Sequence, residues 1–150
     1  MLYFVEPINE TVLRKLAEKS ETSVRERTTA YIREVTGIDK VLRFKKLLGP
    51  ALGSVSDSYL LSRIAQEETW ISAIREPKTA ELLSAVLGIE IEVNEWGPVV
   101  LTEETTLAFL KPDQRVTDPD AAVFYTVYAF DIIPELEKYC RDILFPKVKL

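Results

Sequence analysis

The chain has 150 residues, of which 47% are hydrophobic and 29% charged, and a formal net charge of −5. That balance fits one globular domain with a real core, and its acidity opposes long-range attraction to nucleic acid. One cysteine and no histidine exclude an internal disulfide, Cys/His zinc sites and His-dependent nucleophilic catalysis.

The first apolar residues, Tyr3-Phe4-Val5, read as a short strand closed by Pro7. No basic stretch precedes them, so no cleaved leader is expected and the chain reads as cytoplasmic or carried in a virion. Asn9 is placed to cap a helix running to about Ser20, with Ile8 and Leu13 as its staple. Ser23 and Glu26 have capping-box spacing for a second helix, with Val24, Thr28, Tyr31, Ile32 and Val35 along one side and Gly37 as its stop. Asp39 opens a third helix through Leu48. The GPALGS stretch, residues 49–54, lacks the lysine and spacing of a phosphate-binding loop and reads as a bend.

Leu60, Ile64, Ile71 and Ile74 then recur at helical spacing, ended by Glu76-Pro77. Pro77 suits the first turn of a helix over 78–87, stopped by Gly88. At Ile89 the period changes to two, with Ile89, Ile91 and Val93 alternating with Glu90, Glu92 and Asn94 as in a half-buried strand. Residues 99–101 and 105–111 read as further strands. Residues 121–133 are rich in aromatic and β-branched residues and favour a strand, with a buried helix capped by Asp120 as the alternative. Their most apolar stretch, 121–130, is shorter than the roughly 18 residues of a membrane span. Pro134 opens a last helix over 135–145, with Cys140 on its apolar spacing beside Leu136, Ile143 and Leu144. The expectation is a single α+β domain over 1–150. About five helices fill residues 8–88, a small mostly antiparallel sheet spans 89–133, and a C-terminal helix follows.

Three groups of residues are candidates for chemistry. Glu90, Glu92 and Glu95 resemble paired acid–base carboxylates, but their alternation with apolar residues puts them in water. Asp113, Asp118 and Asp120 share a loop without calcium-loop spacing or a glycine, so turn formation explains them. Lys40, Arg43, Lys45 and Lys46 form the sharpest basic patch, without the exposed aromatics that nucleic-acid binding would add. No cofactor or metal is expected.

Charge segregation is the strongest remaining feature. Residues 25–46 carry seven basic and three acidic side chains, and residues 90–142 carry four basic and twelve acidic ones. Either the two halves face each other within the fold, or the basic face of one copy meets the acidic face of another, head to tail. The functional expectation is a non-enzymatic structural or adaptor subunit contacting other protein chains, foremost copies of itself. A ring-forming component of a larger assembly, such as a virion neck or connector, fits that description. Arg43, Lys45 and Lys46 would face Glu90, Glu92 and Glu95, with Trp96 as anchor. The alternatives are a small acidic inhibitor or immunity-type protein that covers a basic partner, and a carboxylate-dependent enzyme.

Overall fold

The computed structural model describes residues 1–48, 70–112, 114 and 118–146, with the side chains of 44–48 excepted. Five strands and six α-helices are present among them: β1 (Leu2–Val5), α1 (Glu10–Lys19), β2 (Val24–Thr28), α2 (Thr29–Thr36), α3 (Ile38–Leu48), β3 (Trp70–Ala73), α4 (Pro77–Leu87), β4 (Thr106–Leu110), β5 (Val123–Tyr128), α5 (Ile133–Tyr139) and α6 (Arg141–Leu144). The strands form one mixed sheet in the order β2-β5-β4-β1-β3. β1 runs parallel to both its neighbours, β3 and β4, while β5 is antiparallel to β4 and β2.

Both faces of this sheet are covered. Tyr3, Val5, Leu107, Phe109 and Val127 pack with Leu13 and Leu16 of α1 and with Leu136 and Leu144 of α5 and α6. On the opposite face Phe4, Ala108, Leu110 and Phe124 pack with Ile32 of α2, Ile38 of α3 and Leu83 and Leu87 of α4. Strand residues alternate between faces, so a strand buried on both sides is apolar at every position. That accounts for Leu2-Tyr3-Phe4-Val5.

The α+β content stands, but the expected layout is overturned. The sheet is not a late, mostly antiparallel addition to a helical front. It begins at Leu2, recruits Val24–Thr28 and Trp70–Ala73, and interleaves with helices throughout. The segment 24–28, expected inside a helix, is β2, and α2 starts only at Thr29. Thr28 is its cap, with Oγ1 accepting from the Tyr31 amide at 3.2 Å. The supposed capping box fails because Val24 to Thr28 pair in register with Val127 to Val123. Trp70–Ala73 is likewise a strand, parallel to β1; the earlier part of the helix expected there, and the GPALGS stretch, lie outside the described residues. Val99 to Leu101 belong to no strand. The last helix is split at Cys140 into α5 and α6.

Local punctuation behaves as expected. Asn9 Oδ1 accepts from the Val12 amide at 2.9 Å, Pro77 opens α4, and Gly37 and Gly88 end α2 and α4 with φ of 78° and 79°, a conformation that costs a side-chain-bearing residue about 1–2 kcal/mol. The β4–β5 connection is tied by Gln114. Its amide donates to the carbonyls of Lys111 and Val123, and its oxygen accepts from the Val123 amide at 2.9 Å.

Phe4 sits where the three innermost strands meet their helices. It is fully buried, with edge-on contacts to Trp70 at 5.6 Å and Phe124 at 6.4 Å between ring centres. Phe4→Ala is expected to cost about 3–5 kcal/mol. Urea unfolding should show this as a lower midpoint with an unchanged slope; a loss below 1 kcal/mol would mean the site collapses to fill the space.

Candidate interaction surfaces

The chain after α4 turns back along the outer edge of β3. Ser72 Oγ donates to the Glu92 carbonyl at 2.6 Å, the Asn94 amide donates to the Ile74 carbonyl at 2.7 Å, and Asn94 Nδ2 donates to the Ser72 carbonyl at 3.0 Å. Residues 92–94 thus run parallel to β3 without joining the ladder, and they cover an edge that would otherwise be bare. Ile91 is buried in the core while Glu90, Glu92 and Glu95 are exposed. Asn94 then closes a turn, with Oδ1 accepting from the Gly97 amide at 2.9 Å.

This turn presents Trp96, 59% exposed. Val100 is equally exposed, and Val93 and Phe145 are partly so. The Val99 amide donates to the Leu144 carbonyl at 2.9 Å, which sets the 99–100 backbone beside the end of α6. The strip is also held from within. One carboxylate oxygen of Glu6 accepts from the amides of Arg75 and Glu76, both at 2.7 Å. The Arg75 guanidinium donates to the Asn94 carbonyl at 2.6 Å and the Leu144 carbonyl at 3.3 Å. Burial lowers the Arg75 pKa, and the Glu6 carboxylate opposes that. These contacts make Glu6 and Arg75 positioning residues of the strip. Sequence reading missed both, because nothing local links Glu6 to Arg75.

Arg43 projects from α3, where its Nε donates to the Asp39 carbonyl at 3.4 Å. The side chains of Lys45 and Lys46 lie outside the described residues. α3 is not remote from the acidic strip, since Leu42 lies 3.6 Å from where a Cβ on Gly88 would stand. That contact joins α3 to the end of α4, from which the strip departs. Beside Arg43, the residues Glu34, Asp39, Leu42 and Arg43 line an open concavity of about 490 Å³.

Part of the segregated charge is neutralised inside the fold. Arg33 is ion-paired with Asp120 and with Asp39, the latter at 3.5 Å, and Lys111 with Glu26 at 3.3 Å. The Arg33–Asp120 and Lys111–Glu26 pairs join the basic segment to the acidic one. Asp118 has a local role, accepting from the Asp120 amide at 3.0 Å; Asp113 is outside the described residues. Among the described residues no group of three acidic or thiol side chains is placed to hold a metal ion. No helix among them is long and apolar enough to cross a membrane.

At the opposite end of the sheet is β2, bonded among the described residues to β5 alone. Arg25 and Arg27 lie on its α2-side face. Arg27 lies 4.3 Å from the centre of the Tyr31 ring, and its buried Nε has no hydrogen-bond partner among the described residues. In the sequence these two arginines stand out only as part of the basic segment 25–46. The alternation in Val-Arg-Glu-Arg-Thr was the available signal of a charged edge strand. Comparison with protein-family models, with curated proteins and with solved structures finds no match to this chain.

Two outcomes follow. A Cβ at Gly97 would stand 2.5 Å from Asn94 Nδ2, so Gly97→Ala must displace Asn94. The expected cost is about 1 kcal/mol, the worth of the hydrogen bonds lost, with faster hydrogen exchange at the Asn94 amide; an unchanged rate would show that the turn does not hold the strip. Burial pushes the Cys140 thiol up to about 11, and it is 3% exposed. Cys140 is expected to stay inert to a thiol reagent at neutral pH and to react fully on unfolding.

Proposed function

We propose that this protein is a non-enzymatic structural or adaptor subunit that works by contact with other protein chains, foremost copies of itself. The observation that carries this reading is the strip from Glu90 to Trp96. It offers an exposed indole in the midst of three exposed carboxylates, on backbone held by Asn94 and Arg75. A large aromatic group with a polar rim on rigid backbone is the composition of an interface anchor, because little conformational entropy is lost when it is covered. The carboxylates select a basic surface and set orientation more than affinity.

Two basic surfaces are available to a neighbouring copy. One is Arg43 on α3, a helix whose sequence also carries Lys45 and Lys46. Paired with the strip of a second copy by a two-fold axis, it would give an isologous contact in which each copy gives both halves. The other is the β2 edge at the far end of the sheet. A contact between opposite ends is heterologous and builds a ring when the rotation closes.

Light scattering coupled to size exclusion tests the reading. The expected result is a discrete species heavier than the 17.1 kDa chain at low salt, shifting towards monomer as salt screens the charges. Trp96→Ala is expected to weaken association by about 2 kcal/mol, roughly thirtyfold in Kd, without lowering the unfolding midpoint. A monomer at both salts and at high protein concentration would overturn self-association. A one-to-one complex with an unrelated basic protein would then favour the inhibitor reading.

A further inference from the structure

We infer that the basic surface meeting the acidic strip is the β2 edge of the next copy, so that the sheet continues head to tail from one subunit to another; this rests on the self-association proposed above. The two ends of the sheet differ in a specific way. The β3 end is covered by residues 92–94 and bears Glu90, Glu92 and Glu95. The β2 end has nothing alongside it among the described residues and bears Arg25 and Arg27.

Among the described residues nothing pairs with the outer side of the β2 backbone. Tyr128 donates to the Ser23 carbonyl and Thr29 donates to the Ala122 carbonyl. With this register, the amides and carbonyls of Arg25 and Arg27 face β5, and those of Val24, Glu26 and Thr28 face away from the sheet. On the strip, the Glu92 carbonyl and the Asn94 amide and carbonyl are bonded inward, so the amide and carbonyl of Val93 face outward. Both segments run in the same direction, since β2 and β4 are each antiparallel to β5, and β4, β1, β3 and the strip are parallel. A neighbour that extends the sheet without reversing it meets the strip with β2 in parallel.

Charge decides between this and a two-fold pairing of β2 with itself. Directly opposite residues of an antiparallel pair share a face, so a two-fold axis must pass through one residue. Centred on Glu26, it sets the two glutamates opposite each other and each Arg25 opposite the other copy's Arg27. Centred on Arg25 or Arg27, it sets two arginines opposite each other. Each of these places like charges side by side, which is destabilising, and an axis at Val24 or Thr28 would leave most of the strand unpaired. Of the charges along β2, Glu26 already has Lys111, whereas Arg25 and Arg27 lack a carboxylate partner among the described residues. The strip supplies three.

A heterologous contact has two non-equivalent halves, and blocking one half on each of two copies leaves one good interface between them. The experiment uses Arg25→Glu/Arg27→Glu to block β2 and Glu92→Gln/Glu95→Gln/Trp96→Ala to block the strip, since reversing the charge of the strip as well would make the two altered halves attract each other. Each variant alone is expected to lose the heavier species seen for the unaltered chain. Their mixture is expected to give a species of twice the 17.1 kDa chain mass and no larger one. Arg25→Glu alone, at an exposed position outside both core clusters, repeats the test if altering Arg27 disturbs its stacking on Tyr31. If the unaltered chain associates but the β2 variants retain its mass, or the mixture grows beyond two subunits, the edge assignment is overturned and self-association stands. If the unaltered chain is monomeric throughout, both fall.

Discussion

Everything in this fold depends on covering both faces of a sheet in which an interior strand, β1, has parallel neighbours on both sides. A strand in that position has no solvent face, so Leu2 to Val5 must all be apolar, and helices must lie above and below. α1, α5 and α6 cover one side and α2, α3 and α4 the other. Parallel pairs need long crossovers, which is why β1, β3 and β4 are separated by helices rather than hairpins. Once both faces are closed, the sheet meets its surroundings through its two outer strands, and the handling of those edges becomes the main variable of the surface.

The two edges are handled differently, and Glu6 is where that difference begins. It leaves the end of β1 and holds two amides at the start of α4, which fixes the path from β3 into that helix. Arg75, the first of those residues, carries the constraint outward to the carbonyls of Asn94 and Leu144. The covering strip and the end of α6 are thereby locked to the β1–β3 core. Ser72 and Asn94 add side-chain bonds in place of a regular ladder. Under the proposed self-association, little ordering would remain to be done at this strip, which is the main entropic cost that a loop-borne anchor would otherwise carry.

What the sequence made legible was local and chemical. Asn9, Pro77, Gly37 and Gly88 each dictate a backbone conformation through their own side chain or lack of one, and each marks its boundary correctly. The β4 and β5 segments carry dense apolar and β-branched runs and read as strands. β2 and β3 did not, because their strand state is conferred by partners distant in sequence. Ser23 and Glu26 satisfy the spacing of a capping box, and Ile71 and Ile74 satisfy a helical one, but ladder bonds to β5 and β1 override both. The parallel centre was invisible for the same reason, since no short-range signal announces a crossover. At the candidate interface, the exposure of Glu90 and Glu92 was legible from their alternation with Ile91, but the half-buried strand expected over 89–93 is not one, and Val93, expected inward, is exposed. The latch through Glu6 and Arg75 was not, because it joins backbone amides whose proximity only the fold creates.

The segregated charge looks different once paired in space. Arg33 with Asp120 and Lys111 with Glu26 show that the basic and acidic halves do face each other where α2 and β2 meet β4, β5 and the turn between them. Exposed pairs of this kind contribute at most about 1 kcal/mol each, so they do not explain why so much charge is kept apart. What they do is consume the charges in the middle of the molecule. Among the described residues, the charges left without an ion-pair partner include the arginines along β2 and the glutamates along the strip that covers β3. A chain with acids at both edges would repel its copies, and one with mixed charge at each edge would pair indiscriminately. Opposite charge at opposite ends penalises both like-end contacts and leaves one orientation favoured. The pattern works by exclusion as much as by attraction.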